Sequence, residues 1–246
     1  MTSGRTTTTD RPAAAAGPRP GVPDRGRRLR PVLAAAVAVL VVAGAVAALG
    51  GAGSSAATAP APAPAVSEAF AVTAPPGWTV AAGAPALDVF GVPFTRLAEV
   101  PPFAAGQCPP GAAPRGVAAA ALVAVPAGTT VEQAAQAFAR GAGESFYAGS
   151  APQVAVGPPG PRPGTGGEPG TWVEATVRTD GTATGAQGCR ATDGAVGVLA
   201  VPRTQARDGS VGVAMLVVAG DAAGGPGDTV PRSALTDLAT SAVRPG

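Results

Sequence analysis

From Val32 to Leu49 the chain carries only Val, Leu, Ala and one Gly, eighteen residues without a polar side chain. At about 1.5 Å of rise per residue a helix of that length spans roughly 27 Å, close to the hydrocarbon core of a bilayer. Arg25, Arg27, Arg28 and Arg30 precede the run, and no charge follows it until Glu68. The positive-inside pattern therefore predicts one transmembrane helix, with the N-terminus cytoplasmic and the C-terminal domain extracellular. The alternative is a signal segment cleaved after Ala59, because Ala57-Thr58-Ala59 has the small-x-small form of a processing site. A signal core usually runs about 7–15 residues and ends near its cleavage site, so the longer run here favours a retained signal anchor.

Composition divides the chain of 246 residues into four stretches. Residues 1–31 hold seven Arg against Asp10 and Asp24 and almost nothing apolar, which predicts a disordered basic cytoplasmic tail. Residues 32–50 are the expected transmembrane helix. Residues 51–66 include alternating Ala and Pro and predict an extended linker of at most about 50 Å. Residues 67–246 are long enough for one domain with its own core. This last stretch has ten Arg against thirteen acids, so the basic character belongs to the tail. A basic tail beside a membrane suits anionic lipid headgroups. The outer domain has no basic stripe, which argues against nucleic acid as a partner.

Several stretches of the outer domain have strand character. Phe70–Thr73 and Trp78–Val80 flank the turn Ala74-Pro75-Pro76-Gly77. Ala118–Val125, Gly194–Val201 and Val211–Val218 are Val-bearing apolar runs bounded by Pro, Gly or charge. Thr171–Arg178 alternates, with Trp172, Glu174 and Thr176 on one face and Val173, Ala175 and Val177 on the other. Two helices are predicted. The first starts at a capping box, Thr129-Thr-Val-Glu132, continues over Gln133–Arg140 and turns near Gly141 or Gly143. The second covers Pro231–Val243, with Leu235, Leu238 and Ala242 on one apolar side. The strands come in consecutive groups, so the predicted class is α+β: an exported antiparallel sheet covered by two helices, α/β/α sandwich-like. Residues 157–170, mostly Pro and Gly, are expected to form a flexible surface loop.

Cys108 and Cys189 are the only cysteines, and both fall on the exported side, where oxidation is favoured. An even pair there reads as one disulfide in preference to two free thiols. It would tie the loop before Ala118–Val125 to the loop before Gly194–Val201.

The segment Phe70-x-Val-x-x-Pro-Pro-Gly-Trp78-x-Val, the Gly-x-Cys108 turn with Arg115 after it, the Ala-rich helix near 132–140, Cys189 and the C-terminal helix follow in one order. Behind a basic tail, one apolar span and an Ala-Pro spacer, this set resembles an actinobacterial membrane-anchored extracytoplasmic domain family of unknown function, over about residues 68–244. The Pro-Gly-Trp segment also resembles, more distantly, the α/β/α sandwich of Mog1/PsbP-like exported proteins. The resemblance implies placement and fold and carries no activity. The Pro/Gly stretch at 157–170 departs from it.

Much familiar chemistry is excluded by residue type. All seventeen basic residues are Arg, and there is neither Lys nor His. A Ser-His-Asp triad, a Cys-His pair, a Ser-Lys dyad and a phosphate-loop Lys are therefore impossible. Two Cys without His make a zinc site untenable, so no metal and no cofactor is expected. Glu99, Glu132, Glu144, Glu168 and Glu174 supply carboxylates for a hydrolase, though their spacing selects no pair. Gly224-Gly-Pro-Gly-Asp228 has the first glycines of a calcium-binding repeat but places its Asp one residue early, and reads as a turn. Trp78 and Trp172 read as core residues rather than a stacking platform, and Tyr147 as either a pocket rim or helix-end packing. No catalytic residues are assigned. The expected role is a non-enzymatic binding or interaction module of the cell envelope, not an enzyme, with an envelope protein or a small apolar ligand as partner. The alternatives are a hydrolase with paired carboxylates and a sensor whose cytoplasmic tail acts as a docking peptide.

Overall fold

Strand register in the C-terminal domain is set by long apolar stretches that pair with one another. The computed structural model describes residues 63–101, 108, 113–149, 151–180, 189 and 191–246. The basic tail, the apolar run at 32–50 and most of the 51–66 linker lie outside the described residues. Among those described, no helix is long and apolar enough to cross a membrane. Ala57–Gly246 is a compact unit of its own, and both hydrophobic clusters described below lie within it.

The elements in chain order are β1 (Ala65–Val66), β2 (Ala71–Val72), β3 (Thr79–Val80), β4 (Leu87–Val89), β5 (Val92–Val100), β6 (Gly116–Val125), α1 (Val131–Phe146), β7 (Gln153–Val156), β8 (Gly160–Pro161), β9 (Thr171–Arg178), β10 (Asp193–Gln205), β11 (Val211–Ala223) and α2 (Arg232–Ser241). One antiparallel sheet runs β3-β5-β6-β11-β10-β9-β7, with β4 also on β5 and β8 also on β9. Its centre is the β10–β11 pair, joined over most of its length in a register that sets Val198 against Val217. The separate β1–β2 hairpin is fastened to the end of the chain, where Ala71 and Val243 exchange backbone hydrogen bonds of 2.9 Å.

The pleat divides the side chains between two helices. Ala118, Ala120, Leu216 and Val218 pack with Leu235 and Leu238 of α2, with Ala242 at its C-cap and with Phe70. Their neighbours Val117, Ala119, Met215 and Val217 pack with Ala135, Ala139 and Ala142 of α1. Since successive strand residues face opposite sides, α1 and α2 cover opposite faces of the sheet. This is the predicted α+β class, an antiparallel sheet with two helices. Strands buried on both faces are continuous apolar runs, which is why Val211–Val218 carries no alternation.

Two expectations, both on α1, need correction. Phe70–Thr73 and Trp78–Val80 do flank a turn, with Trp78 N–H donating to Pro75 O at 3.1 Å and Gly77 at φ +83°. However, β2 pairs with β1 and β3 pairs with β5, so the two segments do not pair with each other. The capping box of α1 sits one residue later than predicted: Thr130 caps, and Gln133 answers it. The helix does not stop at Gly141. It runs on to Phe146 because the glycines serve close packing: a Cβ at Gly141 would lie 2.2 Å from the Phe90 ring, and one at Gly143 would lie 2.9 Å from Val154. Within residues 157–170, which are otherwise irregular, one two-residue strand forms. Gly160–Pro161 pairs with β9, and Arg162 behind it is buried.

Candidate functional site

Three features concentrate polar chemistry in the described residues. The first lies where β5 and β6, and β9 and β10, are connected. Cys108 and Cys189 are joined in a disulfide with their Cα atoms 5.7 Å apart, within the span such a bridge covers. The predicted pairing is thus present, and it places both connections at one end of the sheet. Beneath it the start of β6 and the end of β11 meet a polar cluster. Arg115 Nε lies 3.5 Å from Asp221 Oδ2, and the Tyr147 hydroxyl donates to Asp221 Oδ1 at 3.2 Å. The rest of the Arg115 guanidinium donates to carbonyl oxygens of Gly224 (2.9 Å), Pro226 (3.4 Å) and Asp228. The glycine-rich turn at 224–228 therefore wraps its carbonyls around an internal cation. Tyr147, at the C-cap of α1, is accommodated because β10 has Gly194 there, where a Cβ would sit 2.0 Å from the hydroxyl. Burial pushes the Asp221 carboxyl up to about 6, although Arg115 and the Tyr147 hydroxyl pull it down. Burial first, and then the Asp221 charge, push the Tyr147 phenol far above its ordinary range.

The second feature lies beside the C-terminal end of α2. Arg162 Nη2 donates to the carbonyls of Ala239 (2.9 Å), Thr240 (3.2 Å) and Ala242, which are groups that a helix C-terminus leaves without intrahelical partners. Its Nη1 donates to Glu168 O at 3.3 Å. The Glu168 carboxylate touches Arg203 Nη1 on one side and lies 3.5 Å from Arg244 Nη2 on the other. Arg203 also donates to Ala69 O at 3.3 Å and stacks 5.4 Å from the centre of the Phe70 ring.

The third is an open recess of about 480 Å³ on the outer edge of the sheet, lined by Gln153, Val154, Ala155, Thr176 and Arg178.

A family model described as Domain of unknown function (DUF8017) matches residues 56–245. The chain belongs to that family. No curated protein and no solved structure matches it. The match begins after the apolar run and takes in the sheet, both helices, the disulfide and both arginine clusters.

In this DUF8017 domain the five candidate carboxylates sit apart, each with its own partners or in solvent. Glu99 lies 3.6 Å from Arg96, Glu168 sits between two arginines, and Glu174 Oε1 accepts from Trp172 Nε1 at 3.2 Å. Glu132 is exposed on the first turn of α1, and its ionised form is favoured there by backbone and Thr130 hydrogen bonds. Glu144 is exposed further along the helix. Among the described residues no group of three His, Cys, Asp or Glu is placed to hold a metal ion. Trp78 and Trp172 are buried in the α2-side core, and Tyr147 packs at the end of α1 rather than on a rim. The sequence reading assigned no role to Arg162, Arg203 or Asp221. Arg162 and Arg203 donate to backbone carbonyls far along the chain, and Asp221 meets side chains from two other segments, so none of them leaves a motif.

Proposed function

We propose that this chain is a single-pass membrane protein of the cell envelope whose C-terminal domain, held outside the membrane, is a non-enzymatic interaction module. The observation that carries the reading is the Cys108–Cys189 disulfide. It uses both cysteines of the chain, as expected in an oxidising compartment, and it fastens two long connections over one end of a buried sheet. A rigid scaffold presenting loops at one end is a common plan for recognition. The apolar run and its flanking arginines supply the anchor, and the bilayer is then the first partner. A partner protein fits the described surface better than a small apolar ligand, since the recess at the sheet edge is open and partly polar. The separate engagement of Glu99, Glu168 and Glu174 weighs against a hydrolase with paired carboxylates. The helix-sheet-helix layering supports a Mog1/PsbP-like architecture, and the arginine-only, Ala-, Gly- and Pro-rich composition supports an actinobacterial source.

Topology tests the reading directly. A reporter fused after Gly246 should be active only outside the cytoplasm, and the native protein should stay with the membrane fraction and show no free thiol. Activity of the fusion inside the cell would overturn the placement. Release of most protein with Pro60 at its N-terminus would replace the anchor with a cleaved signal.

A further inference from the structure

The arginines beside the C-terminal end of α2 outnumber the carboxylates that meet them. Arg162, Arg203 and Arg244 gather about Glu168 alone. Arg162 is committed to the last carbonyls of α2, yet its Nε is buried with no hydrogen-bond partner. Arg203 is held from below: its side chain is only 8% exposed, and the Phe70 ring and Ala69 O fix its plane. Arg244 is largely in solvent. Two guanidinium groups, one rigid and one free to adjust, thus share a single carboxylate at the surface. Burial first, and then the nearby Arg244 and Arg162 charges, make protonation of Arg203 less favourable than usual. Guanidinium forks match oxyanions bidentately, and a phosphate offers enough oxygens to bridge two of them.

We infer that Arg203 and Arg244, backed by Arg162, form a phosphate-binding site in which the Glu168 carboxylate is a resident counter-ion that the incoming phosphate displaces. The backbone carbonyl of Glu168 stays with Arg162 Nη1 while its carboxylate, partly in solvent, can turn away from the two arginines. The position of the cluster indicates the source of the phosphate. Arg203 contacts Ala69 and Phe70, which immediately follow the linker from the apolar run, so the site is on the side where the chain enters the domain. In a protein anchored as proposed above, on which this step rests, that side lies within a linker's reach of the bilayer, and the ligand is the phosphate of an anionic lipid headgroup.

The test uses residues 57–246, which contain both cores. Inorganic phosphate is titrated while backbone amide shifts are followed, and binding to phosphatidylglycerol vesicles is compared with binding to phosphatidylcholine vesicles by co-sedimentation. Phosphate should perturb the amides of Glu168, Arg203 and Arg244 together. Removing the competing charge with Glu168→Gln should tighten binding about tenfold, and Arg244→Ala, at an exposed side chain, should weaken it about tenfold, each being the scale of one partly screened charge contact. Selective sedimentation with phosphatidylglycerol that follows the same two variants supports the lipid source. Phosphate binding with that variant pattern but no vesicle preference keeps the site and overturns the lipid source. No phosphate binding, or binding indifferent to both variants, overturns the site. Loss of the anchor in the topology experiment would leave the phosphate titration unchanged, so the two proposals fail separately.

Discussion

Asp221 makes stability fall as pH rises through the mildly acidic range, and Asp221→Asn should remove that dependence. The carboxyl is buried between Arg115 and Tyr147, and burial holds its folded value near 6 against an ordinary 3.8. A raised value means that the unfolded chain releases the proton first. The contribution is therefore complete below about 3.8 and is lost as pH rises through about 6. At about 1.4 kcal/mol for each tenfold in proton affinity, the difference amounts to about 3 kcal/mol. The buried ion pair does not reverse the sign, because taking a carboxylate out of water costs more than one guanidinium, itself shared with three carbonyls, returns. Asn is a fair replacement for the neutral acid: its carbonyl can accept from Arg115 while its amide donates to the Tyr147 hydroxyl oxygen. Urea unfolding of residues 57–246, followed by fluorescence of the buried Trp78 and Trp172, reads the free energy at each pH. Between pH 4 and pH 7.5 the difference between the variant and the parent should move by about 2 kcal/mol in favour of the variant, the remainder having been lost below pH 4 and other titrating groups cancelling. Parallel curves would refute the reasoning. A shift toward the parent would show that Arg115 outweighs burial.

Other substitutions test separate parts of the fold. Cys108→Ala opens a bridge between residues 81 apart in sequence and should cost about 4 kcal/mol by loop-closure entropy, measured against the parent in urea; a loss below 1 kcal/mol would mean that the unfolded chain is already constrained there. Thr130→Ala should lower stability by about 1 kcal/mol while Thr129→Ala changes little; the reverse order would restore the cap to Thr129. Gly141→Ala drives a methyl into the Phe90 ring and should destabilise by about 1–3 kcal/mol. Adding Phe90→Gly, which also relaxes a φ of +55°, should recover much of that loss, whereas strictly additive thermal shifts would show that the two residues do not touch.

What the sequence made legible follows from how each element meets water. Thr171–Arg178 was readable to the residue because one face of β9 carries Trp172 and Glu174 and the other Val173, Ala175 and Val177. The β10 and β11 runs were readable from their starts but not to their ends. Arg203, Thr204 and Gln205 extend the pairing past the core, where apolar content no longer marks a strand. β5 escaped notice for two reasons: Pro93 sits in its second position, and an irregularity between Arg96 and Ala98 breaks the period-two pattern. The turn joining it to β4 uses Phe90-Gly91, with both residues at positive φ, in place of the Asn-Gly that signals such hairpins. Gly141 and Gly143 looked like helix breakers because their reason, the approach of Phe90 and Val154, comes from other elements. The disulfide was predictable from the count of two cysteines and the compartment the sequence led one to expect. The polar clusters were not, since Arg115 reaches carbonyls 109 to 113 residues away and any residue type supplies a carbonyl.

That pattern gives the absence of lysine a physical meaning. Arg115 and Arg162 each gather backbone carbonyls with a planar fork of donors, one closing the 224–228 turn and the other the end of α2. An ammonium offers three donors from one atom and cannot reach acceptors met by two nitrogens of a fork, as Asp228 and Gly224 are on Arg115 and Glu168 and Ala239 are on Arg162. Both forks are buried, where leaving a carbonyl unpaired costs about 1–3 kcal/mol, so each arginine holds its segment by several such terms at once. Arg203 and Arg244 differ because they share a carboxylate at the surface, with Ala69 O as the one backbone acceptor of Arg203 among the described residues. A contact of that kind can be exchanged for another oxyanion without unfolding anything, and this separates the pair that can recognise a ligand from the pair that only builds the domain.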